Sequence, residues 1–263
     1  MKIAILGAGA FGTALGEILA GKGYDIDYYD SKLERESLAH VLSDTKYIVL
    51  AVPSMAAPYL LPYLPTEKPL VVTTKGFLDE HNFRNFKDYM ILSGPGFAAD
   101  IKAHKPTLLT ATDERIKDLF ETEYLSFDYT PDKKGVLMCG ALKNIYALYA
   151  GFLDLKPGDV AHEKYLTDVA EEMKALLIVN GADGKTVDLS CGKGDLRLTC
   201  DYPSRNYEFG QILRENSSAH PEKTVEGLTA LSKVKRGEII VPETALILRK
   251  LMTTSDDWNS GEK

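Results

Sequence analysis

The stretch Lys2-Ile3-Ala4-Ile5-Leu6-Gly7-Ala8-Gly9-Ala10-Phe11-Gly12 reads as a short apolar strand running straight into a glycine turn. Thr13 to Leu19 then takes up helical spacing, so the local order is strand, turn, helix. Gly7, Gly9 and Gly12 carry the GxGxxG spacing. In that pattern the first glycine makes the tight turn, the second lets backbone approach a pyrophosphate, and the third lets helix and strand pack closely. The phosphates would rest on the N–H groups that open the helix. A glycine turn made only for packing, or a site for flavin or S-adenosylmethionine, shares the spacing.

Asp30 follows Gly12 by 18 positions, at the end of a second expected strand, Asp25 to Tyr29. A carboxylate there suits a ribose 2′-hydroxyl and repels a 2′-phosphate, which favours NAD over NADP. Lys32 and Arg35, close by, work against that preference. Further apolar, β-rich runs lie at Tyr47 to Val52, stopped by Pro53, and at Leu70 to Thr74, Tyr89 to Leu92 and Thr107 to Ala111. Strands alternating with helical or turn segments are the signature of a mostly parallel sheet with covering helices.

From Pro131 onward the character changes. Long amphipathic segments at His162 to Val179, Val225 to Val234 and Thr244 to Met252 imply a helical second domain. The expected organisation is an α/β Rossmann dinucleotide-binding domain over residues 1–130 and an all-α domain over 131–252. The polar tail, 253–263, is expected to be disordered.

Within the second domain one residue is out of place. Lys143, followed by Asn144, sits inside the apolar run from Val136 to Leu153. Eighteen mostly apolar residues meet the length of a membrane span, but a Lys-Asn pair near the centre costs roughly several kcal/mol in hydrocarbon. Read as a buried helix, the run puts Gly140, Lys143, Ala147 and Ala150 on one face, and Leu142, Ile145, Tyr149 and Phe152 on another. Lysine is rarely buried without a partner or a task. Burial disfavours its charged form and makes a usable base at neutral pH; a plain buried ion pair explains the same position.

The 263 residues suffice for one large domain or two ordinary ones. A net charge of −7, with no block of lysines and arginines, argues against nucleic acid or an anionic membrane surface as partner. An anionic substrate must then meet a local positive pocket. Three cysteines, Cys139, Cys191 and Cys200, show neither disulfide nor metal-ligand spacing, which fits a reduced, cytoplasmic protein without a metal. The glycines and Glu17 interrupt what would otherwise resemble a signal peptide.

Eight segments taken together resemble the NAD(P)-dependent glycerol-3-phosphate dehydrogenases. They are GAGAFGTAL from Gly7, LAVPS from Leu50, TTKGF from Thr73, SGPGFAADI from Ser93, GALKNIYAL from Gly140, GKGDLRLTC from Gly192, SRNYEFG from Ser204 and TVEG from Thr224. The resemblance implies a Rossmann domain followed by an all-α substrate domain, in an enzyme that is often dimeric. It implies an oxidoreductase that reversibly reduces dihydroxyacetone phosphate to sn-glycerol 3-phosphate and supplies glycerophospholipid synthesis.

On this resemblance Lys143 is the proton-transferring lysine and Lys75 a second cation near substrate and nicotinamide. Asp195 and Thr199 position Lys143 and bond the substrate hydroxyls, and Asn144 belongs to the same substrate set. Ser204, Arg205 and Asn206 form the phosphate grip, for which a planar guanidinium fork is suited. Ala10, Phe11, Ala98, Arg205 and Glu226 also border the cofactor. Where the family often has a serine this chain has Gly96, and backbone at Gly94 and Gly96 is left to contact substrate. Ser31 to Lys46 is a compact stretch where the family has a larger polar one. Two other readings are another lysine-dependent hydroxyacid dehydrogenase, which would prefer a carboxylate substrate, and a catalytically silent dinucleotide sensor.

Overall fold

The computed structural model describes residues 1–32, 37–76, 80–201 and 204–258. Arg35 lies outside them. The chain divides into two compact units between Lys133 and Lys134.

Among the described residues the first unit is built on seven strands: β1 (Lys2–Leu6), β2 (Asp25–Tyr29), β3 (Tyr47–Leu50), β4 (Leu70–Val72), β5 (Tyr89–Ser93), β6 (Thr107–Ala111) and β7 (Leu125–Tyr129). Their order across the sheet is β2-β1-β3-β4-β5-β6-β7. All neighbours run parallel except β5 and β6. β1, β3 and β4 are buried almost throughout, which is why they read as unbroken apolar runs rather than alternating ones. β7 is the strand that the sequence reading lacks. Leu-Ser-Phe-Asp-Tyr buries Leu125 and exposes Tyr129 at the sheet edge, too polar to stand out before its pairing with β6 is known.

The chain enters β1, leaves to β2 on one side, and returns to β3 on the other. β1 and β3 therefore form a topological switch point, and their registers bring Leu6 level with Leu50. Open α/β sheets bind ligands beyond the carboxyl ends of strands at such a point. The residues that follow there are the glycine turn after β1 and Ala51 to Ser54 after β3.

The second unit is helical. Its principal helices are Lys133–Phe152, Val160–Val179, Asp195–Asp201, Arg205–Glu215, Glu226–Lys235 and Leu246–Thr254. In Lys133–Phe152 every residue from Gly135 to Gly151 is buried, Lys143 and Asn144 included, so no side of this helix faces water. It is buried by protein: among the described residues no helix is long and apolar enough to cross a membrane. Small residues permit the contact. A Cβ at Gly151 would meet the Tyr207 carbonyl oxygen at 1.9 Å, and one at Gly210 would meet that of Leu148 at 2.0 Å. The close approach thus runs through Gly151 and Gly210.

Order extends further toward the C-terminus than the composition suggests. The last helix continues to Thr254, and Trp258 is 7% exposed with its ring 5.4 Å from that of Phe152. An indole burying most of its surface outweighs the polar residues around it. Residues 259–263 lie outside the described residues.

Candidate active site

In the first unit the glycine turn takes its shape from hard contacts. Gly7 has φ +107°, a conformation that costs an L side chain dearly, and its N–H donates to the Tyr29 carbonyl at 2.8 Å. A Cβ there would meet the Ala51 carbonyl oxygen at 2.6 Å, and one at Gly12 would meet that of Gly7 at 2.0 Å. Among the described residues nothing lies within 4 Å of a Cβ at Gly9. Two glycines are thus fixed by packing, and the middle one borders open space. That middle residue caps the helix Ala10–Gly21, whose first turn carries no carboxylate to repel an anion. Open space beside exposed helix-opening N–H groups fits a pyrophosphate. Phe11 packs half-buried on the sheet core, next to the turn.

The carboxylate of Asp30 closes the turn from the side. Its Oδ2 accepts the Ala8 N–H at 3.0 Å and its Oδ1 accepts the Lys32 N–H at 3.0 Å. Each carboxylate oxygen has further acceptor capacity, so a hydroxyl donor fits the same group. Farther along the sheet, Lys75 follows β4 half-buried and its Nζ donates to the Gly94 carbonyl at 2.9 Å. The Gly96 N–H donates to the same oxygen at 2.9 Å. These backbone groups, expected at the substrate, are here bonded to Lys75 and to each other. Ala98 opens the short helix Ala98–Lys102 directly after them.

In the second unit Lys143 has found its company. Its Nζ lies 2.7 Å from Asp195 Oδ1 and 2.9 Å from Thr199 Oγ1, with side chains of Lys143 and Asp195 only 7% and 1% exposed. Thr199 in turn donates to the Asp195 carbonyl oxygen at 2.6 Å. Asp195 and Thr199 are four apart, so a single helical turn presents both. That turn is entered through a π-helical segment, Ser190–Gly194, where a Cβ at Gly192 would meet the Val187 carbonyl oxygen at 2.2 Å. Such bulges recur at functional sites because they re-aim the residues that follow. The adjacent Cys200 thiol is pushed up to about 12 by burial, so it stays protonated and inert.

A second chain of bonds runs beside the first. Asn144 Nδ2 donates to the Gly140 carbonyl, Asn206 Nδ2 donates to Asn144 Oδ1 at 2.9 Å, and the Gly227 N–H donates to Asn206 Oδ1 at 2.8 Å. Three helices are tied together through two buried amides, each left with one further N–H. Ser204 caps the helix Arg205–Glu215 by accepting the Tyr207 N–H. Arg205 is exposed, and its guanidinium is held at one corner by the Thr224 carbonyl at 3.3 Å. Glu226, half-buried, opens the next helix. The structure therefore gathers Lys143, Asp195 and Thr199 at one point and joins Asn144 to Asn206 beside it.

The family model for the C-terminus of NAD-dependent glycerol-3-phosphate dehydrogenase matches residues 132–245. Glycerol-3-phosphate dehydrogenase [NAD(P)+] of Leptospira biflexa is 32% identical, over 90% of this chain and 85% of its own length. The chain belongs to the NAD(P)-dependent glycerol-3-phosphate dehydrogenase family. The enzyme of that name from Maridesulfovibrio salexigens is 30% identical over 92% of both chains. The crystal structure of the family member from Coxiella burnetii superposes with a TM-score of 0.79, at 24% identity, over 96% of this chain and 94% of that one. Family membership carries a nicotinamide dinucleotide cofactor with it, and the open space at Gly9 fits one.

Sequence reasoning passed over Glu172. This buried carboxylate accepts the Tyr146 hydroxyl at 2.7 Å and the N–H groups of Ile247 and Leu248 at 2.8 Å each. It joins the helix of Lys143 to the last helix. A signal was there: Tyr165, Val169, Glu172 and Leu176 share one helical face, and the carboxylate is the polar member of an apolar stripe.

Proposed function

We propose that this chain catalyses the reversible NAD(P)H-dependent interconversion of dihydroxyacetone phosphate and sn-glycerol 3-phosphate. The observation that carries the proposal is the buried Lys143 Nζ held by Asp195 Oδ1 and Thr199 Oγ1 at 2.7 and 2.9 Å. An amine held by a carboxylate and a hydroxyl presents its proton in a set geometry, which a solvated lysine does not. A nicotinamide, when bound, would supply or receive the hydride at the substrate carbon. During reduction protonated Lys143 gives its proton to the developing alkoxide, and during oxidation neutral Lys143 takes it back. Asp195 and Thr199 hold Nζ in place and bond the substrate hydroxyls.

Lys75 stabilises charge on the substrate oxygen, as a preorganised cation does where charge develops. Arg205 and Asn206 grip the phosphate. The exposed guanidinium and the remaining Asn206 N–H support that assignment, and Ser204 places both by capping their helix. Gly7, Gly9, Ala10, Phe11 and Gly12 hold the dinucleotide, with Ala98, Arg205 and Glu226 also bordering it. Asp30 favours NADH over NADPH. Cytoplasmic placement is supported by three buried cysteines, none of them in a disulfide, and a homodimer serving phospholipid synthesis by the family.

The test is oxidation of NADH and, in parallel, of NADPH on adding dihydroxyacetone phosphate. Turnover with tighter NADH binding is expected. No turnover with either cofactor would defeat the proposal, while tighter NADPH binding would defeat only the assignment to Asp30. Turnover with 2-keto acids alone would favour a hydroxyacid dehydrogenase, and binding without turnover a sensor.

A further inference from the structure

His162 is completely buried in the first turn of Val160–Val179, yet neither ring nitrogen makes a hydrogen bond to any described residue. Facing its Nε2 at 3.5 Å is Asp201 Oδ1, itself buried and without a hydrogen-bond partner among the described residues. A buried polar atom left unsatisfied costs free energy, and two complementary ones 3.5 Å apart cancel that cost by closing together. Closing by about 0.6 Å, a small side-chain rotation, gives an ordinary charge-assisted N–H to carboxylate distance. The other groups facing this pair are Glu163, 3.9 Å from His162 Nδ1, and Arg197, which forks onto Glu163 and reaches Asp201 Oδ2 at 3.5 Å.

Asp201 ends the helix Asp195–Asp201 that carries both partners of Lys143. Seven residues are too few for a helix to hold itself in water, so its placement comes from its anchors. At its start Asp195 meets Lys143. At its far end the anchors are Arg197 with Glu163, about half-exposed and therefore weak, and the buried His162 with Asp201. We propose that His162 is a positioning residue: its Nε2–H donates to Asp201 and so fixes the helix that sets Asp195 and Thr199 on Lys143. This rests on the dehydrogenase reading for its kinetic consequence, though the hydrogen bond itself does not.

The experiment compares His162→Leu with His162→Gln, whose amide N–H replaces the ring N–H, and Asp201→Leu with Asp201→Asn, whose carbonyl still accepts. His162→Leu and Asp201→Leu are each expected to lower kcat about tenfold with the NADH dissociation constant unchanged, as misplacement of a reacting group does. The Gln and Asn variants stay within about twofold, and the double Leu variant is no worse than either single one. Wild-type kcat in both Leu variants, or His162→Gln falling as far as His162→Leu, overturns the proposal. Should His162→Leu fail to fold, the Asp201 pair, at a partly exposed helix end, decides alone. A ¹⁵N-histidine spectrum of the wild-type protein reads the bond independently of turnover: a protonated Nε2 on His162 that exchanges faster in Asp201→Leu supports it, and an unprotonated Nε2 refutes it. Absence of turnover in the wild-type protein would count against the dehydrogenase and leave that spectrum as the arbiter of the pair.

Discussion

Replacing Lys143 by Met tests stability and chemistry at once. The substitution leaves Asp195, 1% exposed, without its ammonium partner at 2.7 Å. Removing one member of a buried pair costs about 3–5 kcal/mol, because the remaining charge stays desolvated. Against a total stability of about 5–15 kcal/mol the protein still folds, with the melting temperature of the helical unit lower by about 10–15 °C. Loss of a positioned proton donor slows turnover by about 10²–10⁴, or roughly 3–5 kcal/mol of barrier. NADH binding should be unchanged, since the glycine turn belongs to the other unit. The decisive variant is Lys143→Met with Asp195→Leu. Replacing a whole buried pair by apolar groups of similar volume is neutral or stabilising, so stability should return while turnover does not. The assays are thermal unfolding, NADH fluorescence titration and NADH oxidation with dihydroxyacetone phosphate. Turnover of Lys143→Met within threefold of wild type, or a single variant as stable as the double one, would refute the reasoning.

Gly9→Ala should fold normally, because no described residue lies within 4 Å of the added Cβ, yet weaken NADH binding at least tenfold by filling the approach to the pyrophosphate; equal binding would be the contrary result. Gly12→Ala drives a Cβ to 2.0 Å from the Gly7 carbonyl and should destabilise the first unit itself by roughly 1–3 kcal/mol, visible in urea unfolding. Glu172→Ala strips the Tyr146 hydroxyl and two helix-opening N–H groups of their acceptor, at a cost of about 2–4 kcal/mol. Its emission from Trp258, the one tryptophan, should shift red at lower denaturant than in the wild type, and coincident midpoints would argue against the role. Hydrogen bonds from Lys156, Gln211 and Arg214 hold Asp154 down at about 2 from an ordinary 3.8. A depressed carboxylate contributes stability that is complete above 3.8 and lost as the pH falls through about 2. In Asp154→Asn the urea midpoint should therefore fall less steeply across that window; an unchanged slope would remove the contribution.

The readability of each part follows from how far apart in the chain its partners lie. Gly7, Gly9, Gly12 and Asp30 stand in one strand-turn-helix-strand unit, and spacing alone placed them. β7 escaped notice because Leu125 to Tyr129 earns its place only by pairing with β6. Lys143 was visible as a charge in an apolar run, whereas its partners lie 52 and 56 residues on, beyond any local pattern. His162 was legible as a residue and not as a problem, since an unsatisfied nitrogen exists only once the ring is buried.

The sequence by itself determined the division into a sheet-bearing first part and a helical second part, the glycine turn, and a lysine whose burial needed a reason. Periodicity and steric demands of individual residues act over a few positions, so they survive in a string of letters. The tertiary structure decided the distances at which Asp195 and Thr199, named beforehand only through the family resemblance, hold Lys143; it alone decided that Glu172 and the two asparagines tie helices together, and that Gly9 opens on space while Gly7 and Gly12 do not. Those outcomes depend on distances between residues remote in the chain, where a fraction of an ångström separates a hydrogen bond from an unpaired buried atom.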